Sequence, residues 1–325
     1  KVISQSILAD GMSPIIDLEK SHGSWLVDKV SGKEYLDLFS MFASLSVGYN
    51  HPYVLEQSER LRIAAINKPT NSDVYSQEMA EFMHTFKRVA QPDYLPHTFF
   101  IEGGGLAVEN ALKVAFDWKR RKNLAKGSSV KGEKVIHFKQ CFHGRTGYTM
   151  SLTDSPDKRK TMYFPKFDWP RVTNPKITFP LKDNLEHVQE LERQSLHEIK
   201  EVIAANPDNI ASIILEPIQG EGGDNHFRCE YMQALREIAD ENDIMLIYDE
   251  VQTGIGVTGK MWAHQHFASG GCETGCDCGN GLSAKPDIIS FGKKTQVCGI
   301  AASTRVDEVE GNVFQESSRI NSTWG

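Results

Sequence analysis

The stretch Asp287-Ile288-Ile289-Ser290-Phe291-Gly292-Lys293-Lys294 decides how the rest of the chain is read. Pro286 precedes a short apolar run and Gly292 ends it, the pattern of a strand buried on both faces. A lysine just past such a strand sits at the edge where open α/β sheets bind ligands. Its ammonium is partly stripped of water there, which lowers its pKa and frees the amine for Schiff-base chemistry. A surface lysine after any strand looks the same in isolation. The neighbouring units separate the two readings.

Working back along the chain, Ile244–Tyr248 reads as a strand ending in Asp249-Glu250, followed by a loop with Gln252 and Thr253. Ile210–Leu215 is another, ending in Glu216-Pro217, with Gln219-Gly220-Glu221-Gly222-Gly223 beyond. Lys134–Phe138 leads into Cys141-Phe142-His143-Gly144-Arg145, and His97–Ile101 into Glu102-Gly103-Gly104-Gly105. After the glycines, Val108, Ala111, Leu112 and Ala115 recur at helical spacing. A strand, a glycine turn and a helix present free N–H groups to an anion, typically a phosphate. It is a poor dinucleotide fingerprint, because Val108 holds the place of the third glycine. Helical stretches at Leu185–Ala205 and around Tyr231, Ala234, Leu235 and Ile238 separate the strands. Alternating β and α units with two-sided apolar strands predict a mostly parallel sheet with helices on both faces. Its strand ends would bring Gly103–Gly105, Phe142-His143, Glu216–Glu221, Asp249 and Lys293 to one side.

The flanks are less regular. Residues 11–50 read as a β-rich lead-in, with a hairpin of Gly23–Asp28 and Lys33–Leu38 turning at Ser31-Gly32. A helix runs to about Ile66, and another over 72–89 with Ser72 as N-cap. We assign residues 1–60 to a small N-terminal segment and 61–325 to the large domain. Residues 151–180, rich in proline and aromatics, read as an ordered surface excursion.

The net charge of −7 argues against a nucleic-acid partner. No run approaches the roughly eighteen apolar residues of a membrane span, and no signal-peptide pattern opens the chain. Six cysteines in 325 residues do not make a disulfide framework, which favours a cytoplasmic setting. Both ends look cut, as in a fragment of a longer protein that lacks a C-terminal domain.

A phosphate cradle, a stacking ring, an acid and a lysine together suit pyridoxal 5′-phosphate. Lys293 would join its aldehyde and serve as general base, and Asp249 would keep the pyridine nitrogen protonated. The segments Glu216–Gly223, Asp249–Gly254 and Phe291-Gly292-Lys293 resemble the signatures of the class III pyridoxal-phosphate aminotransferases, of fold type I. More narrowly, Asn67-Lys68-Pro69, Phe167–Arg171, Gly292–Gly299 and Asn321–Gly325 resemble the lysine 6-aminotransferase branch. The resemblance implies catalytic roles for Lys293 and Asp249. Gly104, Gly105, Phe142, His143 and Gln252 would bind the cofactor, with Thr323 reaching the cofactor of a neighbouring subunit in a homodimer. Arg145 would take the substrate α-carboxylate in a bidentate grip, with Glu221 and Gln252 also facing substrate. Glu221 would cover an arginine in one half-reaction and release it in the other. The implied reaction moves the 6-amino group of L-lysine to 2-oxoglutarate by a ping-pong route. Ornithine or 4-aminobutyrate as donor, a nucleotide-dependent dehydrogenase, and a truncated non-catalytic paralogue are the competing readings. Cys272, Cys276 and Cys278 invite a zinc reading with His264, His266 or Cys298. Their spacing is not a standard one, so we read a glycine-rich insertion and no metal.

Overall fold

The computed structural model of the chain describes residues 2–67, 71, 73–268 and 284–320. It divides into two units, 1–69 and 70–325. The break falls after the helix Ser58–Ile66, a few residues later than the expected boundary at 60.

In the small unit, β1 (Trp25–Val27) and β2 (Glu34–Leu36) form the expected antiparallel hairpin. Its turn needs Gly32, at φ +73°, where a side chain would be strained. Asp28 closes the turn by accepting from the Ser31 N–H and hydroxyl.

The large unit is built on a seven-stranded sheet. Its strands are β3 (His97–Ile101), β4 (Lys134–Phe138), β5 (Arg171–Val172), β6 (Ile210–Leu215), β7 (Met245–Asp249), β8 (Ile288–Phe291) and β9 (Cys298–Ala302), in the order β3-β9-β8-β7-β6-β4-β5. Neighbours pair in parallel from β8 to β5, while β9 runs against both β8 and β3. Every residue of β6, β7 and β8 is buried, which is why these strands read as unbroken apolar runs rather than alternating ones. The helix Gly104–Ala125 buries Val108, Ala111, Leu112 and Ala115 against one face of the sheet, in one cluster with Ile214, Ile247 and Ile288. The helix Cys229–Glu241 packs Tyr231, Leu235 and Ile238 on the other, in a cluster with Leu215, Leu246 and Ile289.

Three expectations need correction. The helix placed over 72–89 runs Gln77–Val89, and its N-cap is Ser76, whose hydroxyl accepts from Met79 N–H. Ser72 lies outside the described residues. The excursion over 151–180 contains β5, two residues long and too short to show a period. The strand β9 was not foreseen: Gly299 sits inside it because an added Cβ would meet Phe99 O at 2.4 Å. No helix of the described residues is long and apolar enough to cross a membrane.

Candidate active site

The carboxyl ends of β3, β4, β6, β7 and β8 meet around a cavity of about 220 Å³. It is lined by Gly104, Gly105, Phe142, His143, Gly144, Glu216, Asp249, Val251, Gln252 and Lys293. Gly104, Gly105, Phe142, His143, Glu216, Asp249 and Lys293 converge as the pattern predicts, while Glu221 lies outside the lining.

Asp249 forms the floor. It is the last residue of β7 and is 4% exposed. One carboxylate oxygen faces His143 Nδ1 at 2.8 Å, and the other accepts from Ser290 Oγ at 3.0 Å and Val251 N–H at 3.1 Å. Burial works to strip the proton from His143, but the Cys141 sulfur and the Asp249 carboxylate outweigh it and raise the pKa well above the usual imidazole range. Cys141 donates its thiol to Leu152 O at 3.1 Å, and Asp249 is the carboxylate in direct contact with the ring. His143 Nε2 is buried and has no partner among the described residues.

Glu216 is pushed up to about 8 by burial, countered by His143 and reinforced by Asp249. It accepts from Phe142 N–H at 2.8 Å. That bond fixes the chain where the Phe142 ring lines the cavity.

Lys293 is the first residue after Gly292 and takes a left-handed backbone, φ +51°. A non-glycine residue held there marks a site over-determined by its surroundings. Gly292 itself is required because a Cβ would meet Cys298 Sγ at 2.7 Å. Lys293 Nζ donates to Gln252 Oε1 at 3.1 Å. Burial lowers its pKa, while Asp249 and Glu216 work in the opposite direction. The amine is thus easier to deprotonate than a surface lysine, as the sequence implied.

On the opposite wall, Gly104 and Gly105 open the long helix, with Gly103 at φ +97° as N-cap. Added Cβ atoms would meet Val251 at 2.9 Å from Gly104 and Thr146 at 3.2 Å from Gly105. Gly144, at φ +115°, lets the two loops approach, since its Cβ would meet Gly105 Cα at 2.9 Å. Free N–H groups at such a glycine-lined helix start suit an anion.

The remaining predicted residues lie further out. Arg145 is exposed and is not among the lining residues. Glu221 is also outside the lining; its Oε1 accepts from Ser155 Oγ and pairs with Lys160 Nζ, both at 2.6 Å. Lys160 Nζ stands 5.7 Å from the centre of the Phe142 ring. Thr323 and the cysteines 272, 276 and 278 fall outside the described residues. His264, considered as a zinc ligand, faces Glu250 Oε1 at 2.8 Å and Tyr94 Oη at 2.7 Å with its two ring nitrogens.

Ser290, Glu250 and Lys160 were not singled out from the sequence as site residues, and Lys294 figured only as the alternative to Lys293. Ser290 did carry a signal, as the one polar residue within the strand Ile288–Phe291. The others depend on contacts between distant segments. A larger groove of about 750 Å³ lined by Phe116, Tyr148, Phe167 and Trp169 contains none of these groups.

The donor set fits a phosphorylated pyridine aldehyde. There is an amine with a lowered pKa, a buried carboxylate, an aromatic wall and a glycine cradle that side chains would fill. The aminotransferase class-III family pattern matches residues 7–325. The chain belongs to the class III aminotransferases, and its cofactor is pyridoxal 5′-phosphate. It is 49% identical over 329 residues to the L-lysine-epsilon aminotransferase of Mycobacterium tuberculosis, spanning all of this chain and 69% of that protein. The Streptomyces clavuligerus L-lysine-epsilon aminotransferase is 46% identical, with 68% of its length covered. A solved lysine aminotransferase from M. tuberculosis in the internal aldimine form superposes with a TM-score of 0.91 at 48% identity, over 99% of this chain and 71% of that one.

Proposed function

We propose that this chain transfers the 6-amino group of L-lysine to 2-oxoglutarate in ping-pong fashion, giving 2-aminoadipate 6-semialdehyde and L-glutamate. One observation carries the choice of donor. Identity to L-lysine-epsilon aminotransferases is 46–49% over the whole chain, against 30–33% for the 4-aminobutyrate aminotransferases it also resembles.

When bound, pyridoxal 5′-phosphate supplies an aldehyde that takes up the amino group and a ring that draws electrons from the adjacent carbon. Lys293 Nζ holds the cofactor and then takes the proton from C6 of the substrate, a task suited to an amine whose pKa burial has lowered. Asp249, fixed by Ser290 and His143, keeps the pyridine nitrogen protonated. The N–H groups at Gly104 and Gly105 receive the phosphate. Phe142 would stack on the ring, Gln252 would contact its phenolic oxygen, and His143 acts behind Asp249.

Arg145 takes the α-carboxylate of lysine, which lies at the opposite end of the substrate from the reacting amine. A planar guanidinium suits that bidentate contact. Glu221 changes partner between the two half-reactions, so one pocket accepts both a cationic donor and a dianionic acceptor. We place the active unit in a cytoplasmic homodimer, with Thr323 reaching the cofactor phosphate of the neighbouring subunit.

The test is a donor panel on the purified protein with 2-oxoglutarate and added cofactor. L-Lysine should give the highest kcat/KM, above L-ornithine and 4-aminobutyrate. A preference for either of the others would replace the donor, and no transfer with any donor would leave a non-catalytic chain.

A further inference from the structure

Gln252 is held at both of its ends by consecutive lysines. Its side-chain Oε1 accepts from Lys293 Nζ at 3.1 Å, and its main-chain O accepts from Lys294 Nζ at 2.6 Å. We propose that Lys294 is a positioning residue that holds Gln252 in place against Lys293. The proposal rests on the reading of Lys293 and Gln252 as cofactor-contacting residues.

Three observations carry it. First, the two lysines address different parts of the site. Lys293 lines the cavity, whereas Lys294 is not among the lining residues and turns to the backbone of the neighbouring loop. The left-handed backbone at Lys293 is what parts them.

Second, the turn that carries Gln252 lies beyond β7 and has no strand register to set it. One bond, from Glu250 N–H to Ser290 O at 2.9 Å, starts it. Glu250 then anchors the turn from below. Its carboxylate accepts from Thr253 Oγ1, from Ala263 N–H at 3.1 Å and from His264 N–H at 2.8 Å. Lys294 supplies the cross-link on the β8 side, joining the ends of two adjacent parallel strands.

Third, Gln252 has little room to be anywhere else. The backbone of Gly220 approaches so closely that a Cβ there would meet Gln252 Cδ at 2.7 Å. A loosened main chain at Gln252 therefore moves its amide relative to both Lys293 and the cavity. Burial and the neighbouring Lys293 push Lys294 down to about 8, and in its ammonium form the 2.6 Å bond is charge-assisted, about twice as strong as a neutral one.

The test is a cycle on the cofactor-loaded full chain with Lys294→Met, Lys294→Arg, Gln252→Ala and the double variant Lys294→Met/Gln252→Ala. Three quantities are read: kcat and KM for the amino donor, retention of the visible cofactor band through dialysis, and the peptide modified after borohydride reduction. We expect Lys294→Met to lower kcat by about tenfold, within the roughly 10²-fold that a 1 Å displacement of a catalytic group costs. Donor KM should change little, and Lys294→Arg should recover most of the loss. The double variant should be no worse than Gln252→Ala alone, because both changes remove one function. Borohydride should mark Lys293 in every variant.

Additive losses in the double variant would show that Lys294 acts on stability or on another group, and would overturn the proposal. So would an unchanged kcat in Lys294→Met, or reduction found on Lys294. An unaltered protein with no visible band would overturn the cofactor reading of the site and this inference with it. A normal band with an additive cycle would remove only the role of Lys294.

Discussion

The cavity floored by Asp249 and the region outside its lining that holds Arg145 and Glu221 are built in opposite ways. Asp249 is almost completely buried, and its carboxylate contacts His143, Ser290 and the Val251 N–H at 2.8–3.1 Å. Arg145 is exposed, and Glu221 is held by a half-exposed lysine and one hydroxyl. A buried charge satisfied from several directions cannot move without leaving a partner unpaired, which costs roughly 1–3 kcal/mol or more. The Lys160–Glu221 pair is partly exposed and partly screened by water, so its net worth lies near that of a surface pair, about 1 kcal/mol. The rigid floor is suited to a reaction centre used in both half-reactions. In the proposed reaction, the less buried region would meet a substrate that changes between the half-reactions.

That contrast can be broken most severely at Lys293. Lys293→Ala should remove the visible cofactor band and lower turnover by at least the roughly 10²–10⁴-fold attributed to a positioned general base. Near-normal turnover would move the amine elsewhere. Next comes Asp249→Asn, which keeps the shape and removes the charge. Its contact with His143 is charge-assisted and worth about 1.5–3 kcal/mol, so kcat should fall about 10–100-fold with donor KM nearly constant. A change confined to KM would mean that the carboxylate meets substrate rather than cofactor.

In the less buried region the effects should be smaller and should fall on KM. Arg145→Lys replaces a fork by a point charge, and the loss of about one hydrogen bond should raise the lysine KM about fivefold with kcat retained. An unchanged KM would take Arg145 out of the pocket. The smallest change is expected from Lys160→Met. Its bond to Glu221 is partly exposed, so KM for donor or acceptor should move by less than about fivefold. A larger effect would show that the pair is as tightly determined as the Asp249 floor, and the contrast would fail.

Much of the sheet was legible because β6, β7 and β8 are apolar at every position but one or two, and buried runs of that length punctuated by Gly and Pro have few other uses. The strands His97–Ile101, Lys134–Phe138 and Ile210–Leu215 begin and end where the pattern placed them. β5 and β9 were not legible. Two residues carry no period, and β9 is held in place by its partners on both sides rather than by its own pattern. The cap is Ser76 rather than Ser72: its hydroxyl accepts from Met79 N–H, and both serines offer the same local chemistry, which the sequence alone does not separate.

The sequence alone determined the strand ends and the residue types at them: the glycine turn, Phe142-His143, Asp249 and Lys293. Short-range rules suffice there, since hydrophobic period and turn residues act over a few neighbours. Only the tertiary structure decided that Asp249 faces His143, that burial raises the pKa of Glu216, and that Lys293 and Lys294 turn to opposite ends of Gln252. Those depend on which groups lose water together and which donors face them, and the residues concerned lie about 40 to more than 100 positions apart in the chain.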